Sequence, residues 1–279
     1  MTSQDETAAQ DSTVLLEALR SAAARTARLV RAVPDGAARV PGMDWTAAET
    51  AAHLVGEASF YTGFLTGKRD ARDYLDDGRA GAGAAERNAA ANIRQLREFP
   101  ERDLPRLADA IIAAAEEFAD AAAGRPDSDR ALVTNGMTIT VPVMSALLLG
   151  EQVIHGLDIA RAAGLPWTIT PEDAFLVLDG ALAVLPDYVD RRAAAGRHVS
   201  YELRLRGGPR YRLSFDDGAL AVTAPGPKAD CVISADPVSF LLVGYGRTGQ
   251  WGQIIRGKLV AGGRKPWLGP AFGKLLTSP

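Results

Sequence analysis

A chain of 279 residues with 31 basic and 34 acidic side chains, net charge −3, has no electrostatic footprint for nucleic acid or for an anionic membrane surface. Its single cysteine, Cys231, excludes an internal disulfide framework and a cysteine-rich structural zinc site. The length suffices for one large or two moderate domains with cores of their own. Residues 1–7 have neither the basic region nor the apolar run of a signal peptide, so the cytoplasm is the expected location. No run approaches the ~18 continuous apolar residues of a membrane span, because charges interrupt the alanine-rich stretches.

Residues 1–12 are polar and read as a disordered tail. Over residues 13–33, Val14, Leu15, Ala18, Leu19, Ala22, Thr26, Leu29 and Val30 recur at helical spacing, which predicts a first bundle helix. A second helix begins at Thr46, where Thr46-Ala47-Ala48-Glu49 has the form of a capping box, and runs through His53 to about Leu65. Trp45, just before the cap, reads as a packing anchor. Residues 68–83 mix Asp, Arg and Gly without period and read as a long loop. Two short apolar stripes, Ala89 to Phe99 and Leu107 to Phe118, flank Pro100 and Pro105 and predict an interrupted third helix. Asn135-Gly136 between two β-prone runs predicts a hairpin. Pro142 then opens, and Gly164 closes, a nearly all-apolar helix that contains Glu151, His155 and Asp158.

A further helix starts at Thr170-Pro171-Glu172-Asp173 and reaches about Tyr188, with a kink at Pro186; it either completes the first domain or bridges to the second. From Ser200 the period becomes alternating. Tyr201, Leu203 and Leu205 face one side, Gly207-Gly208 turns, and Tyr211, Leu213 and Phe215 return. Asp217-Gly218 turns again, Cys231-Val232-Ile233 reads as a strand, residues 237–245 as a helix, and the stretch around Leu259 as a last strand. The fold class is therefore α+β: a helical bundle over 13–195 and a smaller α/β domain over 196–279, with the boundary near Ala195-Gly196.

The chemistry concentrates in two of only three histidines. Glu151 and His155 are one turn apart on one helical face, within a segment that is otherwise core. Burying a carboxylate and an imidazole there is costly unless a charge or hydrogen bond compensates, and a divalent cation would do so. Together with His53 they make the two-imidazole, one-carboxylate composition of an open catalytic zinc site. The alternative is a Glu151 paired with a cation from another helix and two ordinary histidines. Asp158 either orients a ligand ring or pairs with Arg161. His198 reads as solvated in a linker, and Cys231 as a strand core residue.

The stretch from Met43-Asp44-Trp45-Thr46 to His53-Leu54, and the later Gly150-Glu151-Gln152-Val153-Ile154-His155-Gly156-Leu157-Asp158, resemble the mycothiol-dependent maleylpyruvate isomerase family. The resemblance implies a DinB-like four-helix bundle in which His53, Glu151 and His155 bind zinc or another divalent metal. The order of strands and the Gly257-Lys258-Leu259 near the end resemble the sterol-carrier-protein-2-like domain found behind such bundles. A metal there could activate water, or hold a thiol as thiolate. The resemblance implies that the thiol is external, namely mycothiol, the low-molecular-weight thiol of actinobacteria, used for cis–trans isomerisation of a maleylpyruvate-like acid or for S-transfer. In that family an arginine of the second domain binds the acidic substrate; Arg247 is the candidate, with Arg256 in reserve, the alternative for both being a solvated surface role. The partners implied are a small-molecule thiol and an electrophilic or unsaturated acid, acting on a monomer or homodimer. The competing function class is a non-catalytic carrier of lipid or apolar ligands that retains a metal site.

Overall fold

The computed structural model describes residues 3–69, 84–132 and 138–277. Packing divides the chain into two compact units, Met1–Ile169 and Thr170–Pro279.

The first unit is built on α1 (Ser3–Ala32), α2 (Ala47–Leu65), α3 (Ala84–Glu98), α4 (Leu104–Ala122) and α5 (Val141–Ala163). Four of these form the bundle. α1 and α2 each pack against both α4 and α5, while α3 lies against α2. The interior is made by residues at helical spacing such as Leu19, Ala22 and Val30, Leu107, Ile111 and Phe118, and Leu149, Val153 and Ile154, all at most 2% exposed. The start of α2 follows from its capping box: the Thr46 hydroxyl accepts from the Glu49 N–H, and the Glu49 carboxylate accepts from the Thr46 N–H at 2.8 Å. Gly164 ends α5 in the left-handed conformation, φ 65°. The interruption expected at Pro100 separates α3 from α4, and Asp103 caps the latter by accepting from the Arg106 N–H.

The polar tail expected over residues 1–12 differs: α1 is helical from Ser3. No Gly or Pro interrupts this stretch. The hairpin strands pair as β1 (Arg130–Leu132) and β2 (Thr138–Thr140), while the Asn135-Gly136 turn lies outside the described residues, as do residues 70–83 of the expected loop. α5 is long and apolar enough in composition to cross a membrane, and its most apolar stretch is 78% buried, which fits a core helix of the bundle.

The second unit comprises α6 (Pro171–Val184), a 3-10 turn (Leu185–Tyr188), α7 (Arg191–Ala194), β3 (His198–Leu205), β4 (Arg210–Asp216), β5 (Ala219–Thr223), β6 (Cys231–Ala235), α8 (Pro237–Gly244), α9 (Gln250–Ile255), β7 (Leu259–Gly262) and a 3-10 segment (Pro266–Leu275). The strands form one mixed sheet in the order β5-β4-β3-β6-β7, with β3 and β6 parallel and every other pair antiparallel. Alternation places Tyr201, Leu203 and Leu205 on the buried face, in register with Cys231, Ile233 and Ala235. Phe272 from the 3-10 segment packs edge-on against Tyr201, 5.1 Å between ring centroids.

The break between units falls at residue 169/170, ahead of the boundary expected near 195. α6 belongs with the sheet, because it packs on α8 and Gly208 of the β3–β4 turn leaves no room for a Cβ against the Phe175 ring. Tyr211 of β4 also donates to Asp179 of α6 at 2.9 Å. His198, expected in a linker, is instead the first residue of β3, exposed and 2.6 Å from Asp216.

One buried carboxylate ties this unit together. Asp230, whose side chain is 12% exposed, accepts from the Ser200 N–H at 3.1 Å and pairs with Arg264 and Lys265. Arg264, then Lys265, hold it well below the usual carboxylate range. A lowered folded-state value stabilises the protein above the unfolded value of about 4 and loses that contribution as pH falls below it. Asp230→Asn should therefore cost roughly 1–2 kcal/mol at pH 7, the modest end because Arg264 is largely solvated. Thermal melts of both proteins at pH 7 and pH 3.5 check this; equal stability at pH 7, or a gap that widens in acid, would contradict it.

Candidate metal centre

α2 and α5 are neighbours in the bundle, and their facing sides bring His53 and His155 together. The two rings meet edge to face with centroids 5.1 Å apart. Both Nε2 atoms converge on one oxygen of Glu151: His53 at 3.3 Å and His155 at 3.2 Å from Oε2. His53 and His155 are buried, whereas the Glu151 side chain is 30% exposed, so the group opens to solvent at its carboxylate. One ligand atom from each of the three lies within 4.8 Å of the others.

The helix places His155 through its own packing. Gly156, the next residue, lies against the Trp167 ring, where any Cβ would collide, and Trp167 Nε1 donates to the Val153 carbonyl at 3.0 Å. Behind His155, Asp158 Oδ2 lies 3.0 Å from Nδ1, so Asp158 takes the ring-orienting position. Burial works to lower the His155 value, but Asp158 and Glu151 outweigh it and push the imidazole up to about 9. Burial likewise opposes ionisation of Glu151, and the two histidines more than offset it, holding this carboxyl below its ordinary range. The result is a compact cluster of two imidazoles around an ionised carboxylate.

The donor set fits a divalent ion. Two nitrogens and one carboxylate oxygen converge from two helices, and the carboxylate reaches solvent, the composition of a three-ligand site. His53 Nδ1, on the far side of its ring, is buried without a hydrogen-bond partner among the described residues. His53 thus has nothing on that side to match the Asp158 contact of His155.

Two further residues lie at this site: Glu57, which is not among the sequence candidates, and Trp45, which reads in the sequence as a packing anchor. Glu57, one turn after His53 on α2, is held by Gln95 of α3, whose amide donates to Oε1 at 3.1 Å. Burial raises its carboxyl above the ordinary range, opposed by His53 and reinforced by Glu151. The signal was available: His53 and Glu57 show the same four-residue spacing as Glu151 and His155. The second is Trp45, whose ring lies 4.9 Å from His53 and 6.2 Å from His155.

The other candidates lie elsewhere. Arg247 sits in the turn after α8 in the second unit, half-buried, with its guanidinium donating to the Tyr245 carbonyl at 2.8 Å. Arg256 is exposed at the end of α9. Both belong to the second unit. Cys231 is fully buried on β6, and burial pushes its thiol up.

A bundle with a two-histidine, one-carboxylate cluster, followed by a small mixed-sheet unit, defines a class of two-domain α+β proteins with a metal-type site in the helical part. Within that class, the profile of the mycothiol maleylpyruvate isomerase N-terminal domain matches residues 19–160, and that of the C-terminal domain of the same family matches residues 176–270. The chain belongs to this family. The crystal structure of the mycothiol-dependent maleylpyruvate isomerase superposes with a TM-score of 0.53 at 15% identity, over 90% of this chain and 92% of that one. A histidine-to-alanine mutant of the same enzyme superposes with the same TM-score at 14% identity and the same coverage. Among curated proteins none matches the sequence.

Proposed function

We propose that the protein is a divalent-metal enzyme, with zinc the expected ion, that uses mycothiol to isomerise a maleylpyruvate-like unsaturated acid from cis to trans. The observation that supports this most is the convergence of His53, His155 and Glu151 within one 4.8 Å group in a member of the isomerase family. His53 and His155 would bind the ion through Nε2 and Glu151 through its carboxylate, while Asp158 fixes the His155 ring. The ion supplies a positive centre that keeps a thiol ionised below the free value of about 8.5.

A thiolate adds reversibly to a double bond conjugated with a carbonyl. The sulfur–carbon bond forms as the π pair moves to the carbonyl oxygen, the former double bond rotates, and the pair returns as sulfur leaves; no oxidant or reductant is consumed. The side chains around the cluster serve this chemistry by holding charge in place: the ionised Glu151 and the buried histidines define a polar spot in an otherwise apolar bundle. Arg247, in the Gly246-Arg247-Thr248-Gly249 turn, is the proposed anchor for the acid's carboxylate, in the role that the resemblance implies for an arginine of the second domain. The test is a screen of the purified chain against cis-unsaturated dicarbonyl acids with and without mycothiol. Formation of the trans acid with mycothiol is the expected result; turnover at full rate without any thiol would overturn the proposal.

A further inference from the structure

The indole of Trp45 is the one aromatic ring stacked near both candidate ligand imidazoles among the described residues: 4.9 Å from His53 at an interplanar angle of 53°, and 6.2 Å from His155 at 36°. Its backbone is held firmly. The Val40 N–H donates to the Trp45 carbonyl at 3.0 Å, Ala47 N–H donates to Ala38 at 2.9 Å, and Arg39 bridges to Thr46, so the turn before α2 closes on itself around this residue. The capping box at Thr46 then fixes the direction in which α2 leaves. A residue required only to fill the core would bury its ring against aliphatic side chains. Trp45 is half-buried, and its ring lies tilted beside two polar rings.

That position carries two physical consequences. Because His53 Nδ1 has no hydrogen-bond partner among the described residues, the plane of the ring is set by the Glu151 contact at Nε2 and by packing against the His155 and Trp45 rings, and Trp45 is the only one of the three that is not itself a candidate ligand. An indole ring beside the ligand atoms also offers a polarizable apolar surface. Sulfur, polarizable and weakly hydrated, seats favourably against an aromatic ring at about 5 Å, often at its edge.

We propose that Trp45 is a positioning and specificity residue of the metal centre: its indole orients the His53 and His155 imidazoles and forms the wall against which a thiol sulfur, in preference to water, is seated. The inference rests on the metal reading given above and adds to it a reason for the choice of thiol over water that comes from this chain.

Cobalt(II) replaces zinc as a coloured probe. The full chain loaded with cobalt is titrated with ethanethiol, which carries a thiol and no other polar group, and sulfur-to-cobalt charge-transfer absorption is followed. Trp45→Leu should weaken thiol uptake between about threefold and tenfold and alter the visible cobalt bands, and Trp45→Phe should restore both toward the wild type. Should Trp45→Leu not fold, Trp45→Met, which refills the volume with a flexible non-aromatic chain, carries the same comparison. Identical cobalt spectra and thiol titrations in the wild type and the leucine or methionine variant would overturn the role of Trp45 while leaving the metal centre intact. A folded wild type that takes up no cobalt would instead remove the metal reading itself.

Discussion

His155→Ala is expected to release the metal and to reduce kcat/KM by several kcal/mol of transition-state stabilisation, the scale of losing a Lewis acid. His155 supplies one of three converging donors, and its loss leaves Glu151 with His53 alone, 3.3 Å away. A graded control lies on the same helix. Asp158 is not a candidate ligand and contacts the His155 ring at 3.0 Å on the side away from Glu151, so Asp158→Asn should weaken metal affinity by about 10- to 100-fold without abolishing it. His198→Ala, at the exposed start of β3, should change neither metal content nor activity. Metal analysis and steady-state kinetics on the three variants, each checked for folding by circular dichroism, decide the matter. Equal metal content in His155→Ala and the wild type would refute the assignment.

Turnover should require an added thiol. Cys231 is the only thiol of the chain, fully buried on β6, with burial raising its value, so it is a poor nucleophile. Cys231→Ser should therefore leave kcat/KM within about twofold, a small change next to the loss of a metal ligand. Omitting mycothiol from the wild-type assay should remove the isomerisation entirely. A hydrolase built on the same three donors would behave oppositely, since metal-activated water would serve as nucleophile and thiol would be irrelevant. Thiol-independent turnover, or loss of activity in a folded Cys231→Ser protein, would count against the account.

The parts of the fold that were legible in the sequence are those set by local chemistry. The Thr46 to Glu49 box gave the start of α2 to the residue, Gly164 its counterpart at the end of α5, and the alternation of Tyr201, Leu203 and Leu205 the buried face of β3. The site was readable because Glu151 and His155 are polar interruptions of an apolar helix at one-turn spacing. What stayed hidden depended on partners distant in sequence. The pattern of α6 shows an apolar face but not which core it faces, so its place beside β4 and α8 had no local signature. Trp45 read as packing because a tryptophan before a cap usually is packing, and only the fold brings its ring beside His53 and His155. Glu57 repeated the spacing that marked Glu151 and His155 on an equally apolar helix, but its tie to the site runs through Gln95, a partner distant in sequence. Net charge was read correctly as small, and says nothing of where carboxylates such as Glu57 or Asp230 are buried.

The most direct test of the central claim is the metal content of the full chain purified without added metal and then exposed to zinc. The account predicts about one tightly held divalent ion per chain, and its loss in His155→Ala. A folded wild-type protein that neither carries a divalent ion nor takes one up would contradict it.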